Sequence, residues 1–194
     1  MRLKQIAGIQ AGYPFRGKIL ENPQADLVVV QMKDACAQGG INWQSCLRTQ
    51  LTGKRPPDWL QSTDILVAAR GSHHYAVEVG SGFSHPSLKA VAAPHFFVVR
   101  LTRPDVLPRY LAWLLNQGPC QSYFQQNAEG TLTKSIRRSV LEETPVAIPP
   151  LAKQRAIVGM AFTLFQEQKL AEKLLRNGER MMTAIAHELL NQNP

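Results

Sequence analysis

The chain has 194 residues, 44% hydrophobic and 19% charged, with no apolar run of about 18 and a start, MRLKQIAGIQAGYPF, too short in its apolar core for a secretory signal. These values exclude a disordered or membrane-spanning polypeptide and predict a soluble, cytoplasmic protein of one good-sized domain, with room for an appendage. Lys and Arg number 22 against 14 Asp and Glu, a net charge of +8, which points to a polyanion such as DNA or RNA, or to plain colloidal solubility.

The charge is uneven. Up to Pro150 there are 16 basic and 10 acidic residues, and after it 6 and 4. Turn-like spots, AGYPFRGK and ENPQ, punctuate the first 25 residues. The β-branched run DLVVVQMKD (26–34) predicts a strand. AQGGINW breaks it and leads into a basic loop, QSCLRTQLTGKRPPDW, with Lys54 and Arg55 ahead of two prolines. DILVAAR (64–70) and YAVEVG (75–80) predict two strands of a hairpin across the turn GSHH, and HFFVVRL (95–101) another strand. Pro108 is placed to open the helix PRYLAWLLNQ, with Leu111, Leu114 and Leu115 on one face and Gly118 at its end. CQSYFQQN predicts a second short helix, and TLTKSIRRSVLEE a polar loop running into a third, with Ser135 as its N-cap. TPVAI predicts a short strand before Pro149 and Pro150 close the domain.

Strands and helices mix without regular alternation. The expected class is therefore α+β: a mixed, largely antiparallel sheet domain with short helices over 1–149, then a long coiled-coil-type helix over 150–194. Ile157, Ala161, Leu164, Gln168, Ala171, Leu175, Gly178, Met182, Ile185 and Leu189 are spaced by four and three in turn, the heptad rule for a narrow seam. Gln168 and Gly178 interrupt its apolar character, and the other eight form the expected dimerisation seam. A helix over 151–191 would be about 60 Å long, more than a domain of about 150 residues covers along one side. Either another chain covers the seam, or the helix kinks at Gly178 and folds back.

Enzymatic signals are thin. There is no phosphate-binding loop, dinucleotide fingerprint, zinc-protease helix or nucleophile elbow. His73 and His74 are adjacent and point opposite ways on a strand, which makes a poor chelate, and Ser84 beside His85 is not a triad geometry. Cys36, Cys46 and Cys120 lack the paired spacing of a zinc site or a disulfide framework. No catalytic residue, metal or cofactor is expected; a His-dependent nuclease and a coiled-coil scaffold stand as alternatives to DNA binding.

Two loops suit nucleic acid. In RGSHH, Arg70 follows a strand and Gly71 allows a close backbone approach, with Ser72, His73 and His74 beside it. In EGTLTKSIRR, Thr131, Thr133, Lys134, Ser135 and Arg137 crowd hydroxyls and cations together. Arg137 and Arg138 have a second possible role, pairing with Glu142. QLTGKRPPDW, with Lys54 and Arg55, is a third, less specific candidate.

In this order GYPFRGK, DILVAARGSHH, HFFVVRL, YLAWLLNQ, GTLTKSI and VAIPPLAKQRAIV resemble, over nearly the whole chain, a specificity subunit of type I restriction–modification systems. The resemblance implies one target recognition domain and one conserved spacer helix, and a non-catalytic role. It implies binding to double-stranded DNA and to methyltransferase subunits, with a restriction or translocase subunit as a further partner. It also implies that Gly130, Thr131 and Thr133 lie at the DNA. Full-length members carry two domains and two helices where this chain has one of each, and Lys153 stands ahead of Gln154 where an acidic residue is usual. Two copies pairing their helices antiparallel would supply the missing half and read a palindrome.

Overall fold

Hydrophobic residues on both faces of one short strand organise the first unit. The strand is β6 (Ile65–Ala68), buried at all four positions. It lies within a four-stranded antiparallel sheet in the order β1 (Ala7–Ala11), β9 (Phe96–Leu101), β6, β7 (Ala76–Glu78). Side chains alternate across a strand, so Ile65 and Val67 face one core while Leu66 and Ala68 face another. The structure is a computed structural model and describes residues 1–53, 55–71, 73–80, 82, 89–131 and 133–191.

The first core lies between this sheet and three helices, α1 (Pro108–Leu115), α2 (Gly118–Asn127) and α3 (Arg138–Glu142). Leu111, Leu115, Phe124 and Leu141 are its largest helical contributions. On the opposite face a three-stranded sheet, β5 (Leu47–Arg48), β2 (Leu27–Val30) and β8 (Lys89–Ala92), supplies Val30, Ala90 and Ala92. β2 runs parallel to β8 and antiparallel to β5, so the architecture is mixed and largely antiparallel, as expected. A small hairpin, β3 (Ala35–Cys36) and β4 (Gly40–Ile41), completes the strands.

Three local expectations need correction. Gly118 does not end the first helix: α1 stops at Leu115, and Gly118 opens α2 with Pro119 behind it. Ser135 is not an N-cap, because α3 starts three residues later with the extended Arg137 before it. TPVAI forms no strand; Arg2 makes one isolated bridge to Pro145, and the Val146 N–H donates to the Met1 carbonyl. Strands β1, β5 and β8 were not anticipated. Two of them are short or glycine-containing and take their extended form from neighbours, not from their own pattern.

One ion-pair cluster sits inside this unit. The Arg100 guanidinium donates from Nε and Nη2 to Asp64 at 2.8 and 2.7 Å and from Nη1 to Asp58 at 3.1 Å. Asp64 is fully buried, and the bidentate pairing raises the already high pKa of Arg100 further. Arg103 with Asp105, Arg138 with Glu142, and Lys4 with Glu143 are also paired. Part of the basic count is therefore paired within the fold.

Contacts divide the chain into Met1–Arg155 and the residues from Ala156 onward. The last helix, α4 (Leu151–Asn191), runs as one helix through Gly178. Its first turn belongs to the first unit. There Gln154 is fully buried: the Leu107 N–H donates to its Oε1 at 2.9 Å, and its Nε2 donates to the carbonyls of Asp105 and Pro149 at 2.8 and 2.7 Å. In the second unit Leu164, Leu175, Met182, Ile185 and Leu189 are exposed, Leu175 at 71%. Ala171 is exposed too, and Ile157 and Ala161 are half-buried. Among the described residues no helix is long and apolar enough to cross a membrane.

Candidate nucleic-acid interface

Two loops more than fifty residues apart in sequence meet in one seam. Beyond the end of β6, the Ile136 N–H donates to the Ala69 carbonyl at 2.9 Å, and the Gly71 N–H donates to the Lys134 carbonyl at 3.0 Å. Arg70 and Ser135 face each other in an antiparallel bridge, and Ser135 bridges back to Glu129. Both segments thereby become rigid at their bases while their polar tips stay outside. Arg70, His73, Gly130, Thr131, Thr133, Lys134 and Arg137 are exposed, and Ser135 is half-buried. Ile136, between the last two, points inward to the helical core. Together with the backbone hydrogen bonds, this apolar anchor fixes the base of the basic loop.

Gly130 has a φ of 104°, and a Cβ there would lie 2.5 Å from the Thr133 carbonyl oxygen. Only glycine permits this close approach of the Thr133 carbonyl. Gly71 also has a positive φ, 122°, so the chain reverses there without a side chain in the way.

The electrostatics are directional. Glu129 holds Arg137 through a 2.7 Å ion pair, which orients the guanidinium but offsets its charge. Arg138 pairs with Glu142 instead, at 2.7 Å, and so serves the helix. The His74 ring departs from the expected role. It is 2% exposed, its Nδ1 lies 3.0 Å from the Ala68 carbonyl oxygen, and it meets Phe124 edge-on. Burial holds its pKa below the usual 6.5, with His73 and Lys134 acting in the same direction. His74 is thus buried beneath the seam, with its ring held against Ala68 and Phe124 and not exposed with its neighbours.

Lys54 and Ser72 lie outside the described residues, as do Ser84 and His85. Arg55 is exposed, but its segment is held elsewhere: the Tyr13 hydroxyl donates to the Gly53 carbonyl at 2.9 Å. Among the described residues no hydrogen bond joins that segment to the seam. A different segment does lie beside it. The Met32 methyl is 3.5 Å from the place a Gly71 Cβ would take, and the Tyr75 hydroxyl donates to the Met32 carbonyl at 3.0 Å. This brings the exposed Lys33 into the neighbourhood. Its only sequence signal is a cation at the end of a hydrophobic strand, which is too common to single out. No group of three or more His, Cys, Asp and Glu placed to hold a metal occurs among the described residues.

The seam thus gathers exposed cations and hydroxyls of the kind that bind anions. Among the described residues it offers no nucleophile–base pair.

No protein-family model matches the chain, and no curated protein does. Solved structures are similar. The S subunit of a type I restriction–modification system from M. genitalium matches over 100% of this chain and 46% of its own, at 15% identity and a TM-score of 0.55. The HsdS subunit from Thermoanaerobacter tengcongensis matches over 90% and 38%, at 18% identity and 0.60. A chain from a structure of complex assembly and conformational transition of the type I restriction–modification system matches over 98% and 47%, at 18% identity and 0.69. This chain spans less than half the length of each, and it has their fold.

Proposed function

We propose that this chain is a DNA sequence-recognition subunit of a type I restriction–modification system, with one target recognition domain over 1–149 and one spacer and dimerisation helix over 150–194. It binds duplex DNA and directs adenine-N6 methyltransferase and restriction subunits to a target; the reactions belong to those subunits. The observation that carries this reading is the seam. Two basic loops from distant parts of the sequence are locked together by backbone hydrogen bonds and expose Arg70, Thr131, Thr133 and Lys134 side by side. The shared fold agrees with it.

The contact classes follow from the chemistry. Lys134 and the two threonine hydroxyls are suited to phosphate oxygens, which set position but carry no sequence information. Arg70 is exposed beside a glycine turn and can present a planar fork to a guanine edge. Two copies joined through α4 would present two such seams and select a two-fold site.

The test is duplex binding by fluorescence anisotropy across a salt series, with the full chain and with its complex with a methyltransferase. The expected result is affinity that falls steeply with salt. Binding of neither form to duplex DNA would overturn the reading. It would then favour the second one, a scaffold working through the exposed apolar stripe of α4.

A further inference from the structure

Among the cations and hydroxyls where the two loops meet stands a carboxylate that phosphate binding does not require. Glu129 is bonded to Ser135 in both directions: its N–H donates to the Ser135 carbonyl at 2.9 Å, and its carbonyl accepts the Ser135 N–H at 2.8 Å. Ser135 in turn faces Arg70. Residues directly opposite in an antiparallel ladder share one face, so the side chains of Arg70, Ser135 and Glu129 leave the backbone on the same side. Arg137 joins them. Its backbone is extended, it stands two residues beyond Ser135, and Ile136 between them is turned into the core. One outer face therefore carries a cation, a hydroxyl, a carboxylate and a second cation.

Glu129 and Arg137 meet at 2.7 Å with side chains 56% and 71% exposed, and a pair so open to water adds little to stability. Among the described residues the Arg137 side chain has no other hydrogen-bond or ion-pair partner. Its neighbour Arg138 is tied along α3 to Glu142. On a DNA duplex the choices open to Glu129 are narrow. Phosphate and sugar oxygens are acceptors, and phosphates repel a carboxylate. Donors lie on base edges, which in the major groove means the amino groups of cytosine and adenine. Resting on the reading that these loops bind duplex DNA, we infer that Glu129 and Arg137 together read one G·C base pair in the major groove. Arg137 donates to guanine O6 and N7, and Glu129 accepts from the cytosine N4 amino group.

Other targets fit worse. An A·T pair satisfies Glu129 at the adenine amino group, but it offers Arg137 no adjacent pair of acceptors, and thymine adds a methyl group beside its single one. The row from Arg70 to Glu129 spans two ladder spacings of about 4.8 Å each. The major groove, about 12 Å wide, admits such a face, and the minor groove, about 6 Å wide, does not. A carboxylate that reads a base also leaves a signature that a phosphate contact does not. Its removal strengthens binding to DNA in general, because a repulsive charge is lost, while selectivity falls.

The experiment is selection from a pool of duplexes with a randomised centre, using the full chain and its complex with a methyltransferase, followed by sequencing of the bound fraction. Glu129→Ala is expected to relax the preference for G·C at one position about tenfold. It is also expected to raise affinity for a duplex of unrelated sequence about threefold. Arg137→Lys keeps the charge but loses the planar fork, and the same position should relax. The double variant should relax it by less than the product of the two singles, and circular dichroism checks that each variant folds. Bound sequences in Glu129→Ala identical to those of the wild type, relaxation at different positions in the two singles, or equal weakening toward all duplexes would overturn the inference and leave the recognition reading intact. A wild type that retains no duplex would overturn that reading, and this inference with it.

Discussion

At the scale of single residues, charge alone is a poor guide to function in this protein. Arg100, Arg103 and Arg138 are as basic as Arg70, yet each is held by a carboxylate that gives it a structural task. Lys134 and Arg70 are the exposed cations that the seam aims outward. Lys134→Ala is expected to weaken binding to all duplexes alike and to lower the salt slope by about one phosphate. Arg70→Ala, by contrast, is expected to change preference among sequences. Anisotropy titrations on a set of duplexes distinguish the two, and unchanged affinity for both variants would remove the seam from the interface. His74 makes a separate prediction. Its folded pKa lies below the unfolded value of 6.5, so the unfolded chain takes up the proton first. Stability from this group is complete above pH 6.5 and is lost as pH falls from there through the folded value. Urea midpoints at pH 7.5 and 5 (round values on either side of about 6.5) should differ by less in His74→Phe than in the wild type.

At the scale of elements, two short features hold the fold in register. Asn116, just past α1, donates from Nδ2 to the Ala76 carbonyl and accepts the Ala76 N–H at its Oδ1, so a side-chain amide caps the outer edge of β7. Gln154 does comparable work at the start of α4, where its amide closes three backbone groups. Gln154→Leu leaves the Leu107 N–H and two carbonyls without that partner, and the expected loss is about 3 kcal/mol in chemical denaturation. Gly130→Ala should also destabilise, because the new methyl collides with the Thr133 carbonyl. Its larger effect is expected on DNA affinity, since the collision opens the tip that carries Thr131 and Thr133.

At the scale of the whole molecule, the loops that carry Arg70 and Lys134 and the apolar stripe of α4 fall into different compact units. Substitutions in one should therefore leave the other folded. Leu175→Asp places a charge in the middle of the seam, and light scattering should show the monomer mass with helical circular dichroism retained. Retention of dimer mass would place the contact elsewhere. If two copies bind together, protection of DNA from nuclease should be two-fold symmetric in the wild type and confined to one half-site in Leu175→Asp.

The sequence by itself determined the features that depend on local pattern. The buried runs of β2, β6 and β9, the proline-initiated α1 and the long helix α4 were all legible, because local apolar runs and side-chain periodicity separate strand from helix. It also singled out Arg70, Lys134 and the threonines as candidates, from side-chain chemistry alone. Only the tertiary structure decided that the two loops share a seam, since the Gly71–Lys134 and Ala69–Ile136 hydrogen bonds join residues with no local relation. It likewise sent His74 inward, gave Ser135 a bridge in place of a helix cap, and brought Met32 and Lys33 alongside Gly71. The reason is the same in each case: a polar group takes whichever partner the folded chain brings within about 3 Å, and one-dimensional pattern carries no record of that distance.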